Sequence, residues 1–143
     1  MSLHVQIKGL DIVNKRLGKA PRITNDQLIA AVNKATAVVE GGAKSFCPVD
    51  TGNLRDSIHM LPAREEGGDV VGEVYTNTEY APYVEFGTGA RGGYPYKTTL
   101  NLSFKAGWPG QKAQPFLGKS LHLNEKNIKA IVKEAMNKAV ENV

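Results

Sequence analysis

With one cysteine in 143 residues, the chain cannot close an internal disulfide, so its fold must rest on packing alone. Cys47 stands before Pro48 at the end of a helical pattern, where a small buried thiol is expected. No apolar run approaches the ~20 residues that span a bilayer, and the N-terminal stretch has no signal-peptide core, so no membrane partner is expected. The three histidines, His4, His59 and His122, stand apart, with no HxxxH spacing and no cysteine or acid cluster beside them. That gives a metal ion no ligand set. No serine carries the flanks of a nucleophile elbow. Charge of one sign is not concentrated either. The 18 Lys and Arg outnumber the 14 Asp and Glu to leave +4, and they are spread along the chain, whereas a dedicated nucleic-acid binder gathers them on one face.

What is present suits an ordinary globular domain, with 41% hydrophobic and 22% charged residues. A chain of this length forms one domain, 1–143, and hides roughly 68–70% of its unfolded surface. Leu3, Val5 and Ile7 alternate with His4, Gln6 and Lys8, a period of two that predicts a half-buried strand. Leu10, Val13 and Leu17 then fall at helical spacing until Gly18 and Pro21.

Thr24 and Gln27 make a capping box that opens a long helix, about 24–46. Its stripe is Leu28, Val32, Ala35, Val39, Ala43 and Phe46. The stripe holds its phase across Gly41 and Gly42, which predicts close approach of another backbone there, and Pro48 ends the helix. Ser57 to Leu61 and Val70 to Asn77 read as partner strands around the polar turn 64–69, with Tyr83 to Phe86 a short third strand. Pro115 opens a C-terminal helix, about 115–141, with Ile128, Ile131, Val132, Ala135 and Ala139 as its stripe and Gly118 and Asn124 as possible kinks. The expected fold is α+β, a small and mostly antiparallel sheet packed against the long helix and covered by the C-terminal one.

Two motifs invite chemistry. Asp50-Thr51-Gly52 is the tripeptide of aspartic peptidases, whose mechanism needs two carboxylates sharing a proton on buried loops flanked by apolar strands. Here a polar, charged stretch follows it. The reading preferred for these residues is a helix-exit turn, with the Asp50 carboxylate bonded to backbone N–H groups ahead and Gly52 supplying a positive φ. Gly87-Thr88-Gly89-Ala90-Arg91-Gly92 fits GxGxxG, yet Gly93-Tyr94-Pro95 follows where a dinucleotide site needs a helix. The glycines read instead as a flexible tip that another subunit's backbone can approach. Glu85, between Val84 and Phe86, reads as an outward residue of an alternating strand, or alternatively as the ion-pair partner of Arg55. From 87 to 112 the chain has no period, which predicts a flexible functional loop. Its Arg91, Tyr94, Tyr96 and Trp108 are candidate interface residues, and Tyr94, Tyr96 and Trp108 interleaved with Lys97, Lys105 and Lys112 offer a second reading, a loop at 94–112 that stacks on single-stranded nucleic acid.

Three blocks carry a resemblance. They are Pro48-Val49-Asp50-Thr51-Gly52-Asn53-Leu54-Arg55-Asp56-Ser57-Ile58, Tyr80-Ala81-Pro82-Tyr83-Val84-Glu85-Phe86-Gly87-Thr88-Gly89, and Gln114-Pro115-Phe116-Leu117-Gly118-Lys119-Ser120-Leu121. In this order they resemble the small tail-component family of tailed bacteriophages, which acts at tail completion and head–tail joining. The resemblance implies a non-enzymatic virion morphogenesis protein without cofactor or metal. Such a protein sits in the tail or neck, assembles in the host cytoplasm, and self-associates or docks on a ring among other tail or head–tail connector proteins. It also implies that Pro48, Asp50, Thr51, Gly52, Leu54, Arg55, Tyr83, Glu85, Gly87, Thr88, Gly89, Pro115 and Phe116 are signature positions. Gly118 and Lys119 depart from the family pattern, which is often basic and then Pro or Ala after Pro-Phe. A nucleic-acid binder using loop 94–112 and an aspartic peptidase at Asp50-Thr51-Gly52 are the alternatives.

Overall fold

The computed structural model of the protein describes residues 3–8, 25–66, 69–96, 98, 100 and 102–141. The expected helix through Leu10, Val13 and Leu17, the Thr24 capping box, Lys97 and the tip of the turn at Gly67 and Gly68 lie outside the described residues. Strand β1 spans Leu3–Lys8 and helix α1 Asn25–Phe46. A single turn of helix, α2, covers Asn53–Asp56. The hairpin strands β2 (His59–Glu66) and β3 (Asp69–Thr76) follow. Helix α3 is Ala81–Phe86, α4 is Phe116–Leu123 and α5 is Glu125–Glu141. The fold is α+β, with an antiparallel sheet in the order β1-β3-β2 packed against the long α1 and the C-terminal helices.

The α1 stripe behaves as its spacing requires. Leu28, Val32, Ala35, Val39 and Ala43 are buried, and Phe46 alone stays partly exposed, under the Lys119 ammonium at 4.6 Å from its ring centre. Gly42 does admit a close neighbour, though the neighbour is the Ser120 side chain of α4 and not a backbone. Ser120 hydrogen-bonds from there to the Val39 carbonyl (2.7 Å). Ile128 and Val132 close the core from α5, and Cys47 is buried in it.

Three expectations change. Tyr83 to Phe86 is helical, because Pro82 sits in the first turn of α3, where a missing N–H costs nothing. Four residues are too few to show whether a period is 2 or 3.6. The third strand is β1. The first hairpin strand starts and ends later than expected, at His59 and Glu66, and its register shifts between Leu61 and Arg64. The C-terminal helix breaks at Asn124, whose φ of −98° and ψ of 3° leave the helical well and whose amide side chain donates to the Ser120 carbonyl (2.8 Å). Gly118 is no kink, since α4 runs straight through it.

Candidate functional site

Glu85 is a buried acid with several hydrogen-bond partners. Helix α3 turns it inward, where it is 1% exposed. One carboxylate oxygen accepts from the Tyr94 hydroxyl (2.7 Å) and the Gly118 N–H (2.8 Å), the other from the Leu117 N–H (2.9 Å). A carboxylate at the first turn of α4 meets N–H groups that have no partner inside the helix. Both sequence-based readings of Glu85 therefore fail. It does not point outward, and Arg55 pairs with Asp56 instead (3.6 Å). Burial pushes the Glu85 carboxyl above its usual range, and the bonds from Gly118, Tyr94 and Leu117 oppose that shift without cancelling it. The Tyr94 phenol is pushed up as well, first by burial and then by the charge of Glu85.

Tyr94 starts an aromatic chain. Its ring meets Phe86 at 4.7 Å and Tyr96 at 5.5 Å, and Tyr96 meets His122 of α4 at 5.2 Å. Gly118 lies directly beneath the Tyr94 hydroxyl and the Tyr96 ring. Two of the candidate interface aromatics are thus turned onto the chain's own body, while Trp108 stays 50% exposed and Arg91 is exposed. The interleaved aromatic and lysine pattern does not form a row of outward rings, which stacking on bases would need.

The two ends of the segment from 87 to 112 are clipped to each other. Thr88 and Gln111 exchange backbone hydrogen bonds (2.8 and 3.0 Å), Ala90 donates to the Trp108 carbonyl (2.7 Å), and Arg91 donates to that of Pro109 (3.0 Å). A side chain on Gly89, at φ 62°, would run into the Trp108 carbonyl and Gly110. The glycines do admit a close backbone, as expected, but it is the chain's own.

The clip helps to bring the three blocks together. Pro48, Val49, Asp50, Thr51, Gly52, Asn53 and Leu54 from the first, Tyr80 and Val84 from the second, Gln114 at the start of the third, and Gln111 from the loop before it line one groove of about 260 Å³. Gln114 is held there by its N–H bond to the Val84 carbonyl (2.8 Å). Ser57 fixes the far end of the first block, bonding to Thr76 (2.6 Å) and Thr78 (2.7 Å).

The positions marked by the resemblance lie in different parts of the fold. Leu54, Glu85 and Phe116 are buried supports, Gly52, Gly87 and Gly89 are buried turn positions, and Thr88 closes the clip. Pro48, Asp50 and Thr51 form the groove wall, and Pro115 leads into α4. Tyr83 (59% exposed) and Arg55 face outward.

Gly52 takes the positive φ expected of it, 87°. Asp50 does not take the role expected of it. It is exposed, and the Thr51 hydroxyl, not the Asp50 carboxylate, accepts from the Asn53 N–H (3.4 Å). The hydroxyl is one atom shorter in reach and sits one residue closer to that donor. Asp50→Asn is therefore expected to change stability by less than about 0.5 kcal/mol, which a thermal melt checks. An open groove rimmed by amides is also unlike the buried, apolar-flanked dyad of an aspartic peptidase.

Among the described residues, no helix is long and apolar enough to cross a membrane. No curated protein and no solved structure matches the chain. One family model does, over residues 11–87, and its description is "Bacteriophage HK97-gp10, putative tail-component". That match takes in the whole first block and the second as far as Gly87, and it spans more than half of the chain. The chain belongs to this HK97-gp10-like family of bacteriophage tail components.

Proposed function

We propose that the protein is a non-enzymatic assembly factor of the virion that acts in tail completion or head–tail joining. It docks on a ring protein at the head-proximal end of the tail and self-associates there. It enters the tail or neck of the particle after assembly in the host cytoplasm. The observation that carries this reading is the meeting of three sequence-distant blocks around one groove. Val49 (55% exposed) and Tyr80 (45% exposed) stand on its rim, with Tyr83 on the neighbouring turn of α3. Rigid aromatic side chains held at a surface bury much area on docking at small entropic cost. A contact of this kind needs no reacting groups, only a fixed shape, and the buried Glu85 and the glycine clip supply that.

Deleting the gene from a productive phage should leave filled heads and finished tails that do not join. Complementation with Val49→Asp plus Tyr80→Ser should fail as the deletion does, with plaque yield down by orders of magnitude. The purified variant should melt within a few degrees of wild type, since both residues are surface-exposed. Normal plaque yield from the deletion would sink the assembly role. Normal yield from the folded double variant would move the docking surface elsewhere.

A further inference from the structure

The cations are spread along the sequence, but the acids are not. From Phe86 to Asn124 there is no Asp or Glu, while Arg91, Lys97, Lys105, Lys112 and Lys119 fall there. Of the 18 Lys and Arg, those five leave 13 to face all 14 Asp and Glu in the rest of the chain, so the net charge of +4 comes from this one stretch. The fold then gathers part of it at the clip. The Arg91 N–H is tied to the Pro109 carbonyl (3.0 Å), Gly92 lies against the ring of Phe104, the residue before Lys105, and Gln111, the residue before Lys112, pairs with Thr88. Arg91, Lys105 and Lys112 are all exposed, and among the described residues none of them is ion-paired. Arg55 and Arg64, in the acid-bearing stretch before Glu85, are both paired. Glu85 meets the segment through Tyr94, but it is buried with both oxygens bonded.

We propose that Arg91, Lys105 and Lys112 form a contact surface for the phosphate backbone of duplex nucleic acid, bound without regard to its sequence. Charge complementarity calls for a polyanion, and the residue types choose which one. Lysine is depleted in protein interfaces, whereas Lys and Arg are the side chains that meet phosphate oxygens. A cation on an acid-free surface also has no bridge of its own to break when a phosphate arrives, and the counterions it displaces from the duplex favour the contact. The rings decide for a duplex over a single strand. Tyr94 packs between Phe86 and Tyr96, and Tyr96 against His122, so of Tyr94, Tyr96 and Trp108 only Trp108 stands out, and splayed bases would find no platform. The clip itself offers one turn of 3-10 helix, Gly89–Arg91, and a single bridge. Neither is a helix or a two-stranded ribbon that could fill a major groove, so no base is read.

Fluorescence anisotropy of a labelled DNA duplex of arbitrary sequence, titrated with the full-length chain, reads the contact directly. Three phosphate contacts give a slope of log affinity on log salt of about −2.7, so binding should weaken roughly 40-fold between 50 and 200 mM salt. Arg91→Gln, Lys105→Gln and Lys112→Gln should each flatten that slope by about one, and the three together should remove it. Lys126→Gln, Lys129→Gln and Lys133→Gln combined, on exposed positions of α5, make the same change in net charge and should leave the slope as it is. No binding at 50 mM salt would overturn the proposal. So would an equal loss of slope in the α5 variant, which would make the effect one of net charge. A single strand of the same length bound more tightly than the duplex would return the loop to base stacking and overturn it too. Polyglutamate bound as tightly as the duplex would assign the surface to an acidic protein instead. None of these readouts uses tails or the groove, so the nucleic-acid contact and the tail-joining role fail separately.

Discussion

Replacing Glu85 by alanine should lower the melting temperature by roughly 10 °C, the largest single effect expected among exchanges of polar side chains in this fold. The change removes three acceptor contacts at once, to Tyr94, Leu117 and Gly118, in a place that is 1% exposed. Each buried donor left without a partner costs about 1–3 kcal/mol, so a total of about 3–5 kcal/mol is expected even if relaxation rescues one of them. Near-ultraviolet circular dichroism should also change, since Tyr94 and the rings stacked on it lose their anchor.

Glu85→Gln separates charge from shape. Because burial holds the carboxyl above its ordinary value of 4.5, the folded chain binds this proton more tightly than the unfolded chain does. The stability from this group is then fully present below about pH 4.5 and is lost as pH rises through the raised value. A glutamine does not titrate. The gap in stability between wild type and Glu85→Gln should therefore narrow from pH 4.5 to pH 7, with every other titrating group cancelling in the difference. A gap that widens over the same range would mean that the bonds from Gly118, Tyr94 and Leu117 outweigh burial.

Long elements with local signals were legible in the sequence, and contacts between distant segments were not. The α1 stripe could be read because Leu28 through Ala43 repeat at steps of three and four, and the burial follows the repeat. The alternation of β1 was likewise plain, as was the turn at Gly52. Asn124 showed itself as a possible break because its side chain competes for a helix carbonyl. Glu85 could be singled out as an acid between two apolar residues. Its partners lie 9, 32 and 33 residues away, and no periodicity reports such distances. Loop 87–112 looked loose for the same reason. The Thr88–Gln111 pairing joins residues 23 apart through one bridge, so neither strand is long enough to show a period of two. The groove is a product of that pairing and of α3, the element misread as a strand. Its residues were all within the three blocks or next to them, but their meeting is tertiary.

Gly110→Ala should open the clip. Gly110 sits at φ 63°, and a Cβ there would fall on the carbonyl of Thr88, the group that accepts from Gln111. The conformation alone costs alanine roughly 1–2 kcal/mol. The collision adds to that, and it cannot be relieved by a side chain swinging away, because the obstacle is backbone on both sides. In wild type, trypsin should cut late at Arg91, whose N–H is tied to Pro109, and earlier at the exposed Lys105. In Gly110→Ala, Arg91 should become an early site, and incorporation into tails should fall because Gln111 and Gln114 no longer complete the groove. Gly110→Asn is the control that separates the two costs. Asparagine tolerates positive φ far better than alanine but carries the same Cβ. If close approach is what requires glycine, Asn should open the clip as fully as Ala. If Asn restores the protease resistance of Arg91, the requirement is conformational, and the backbones of 88 and 110 stand farther apart than this packing allows.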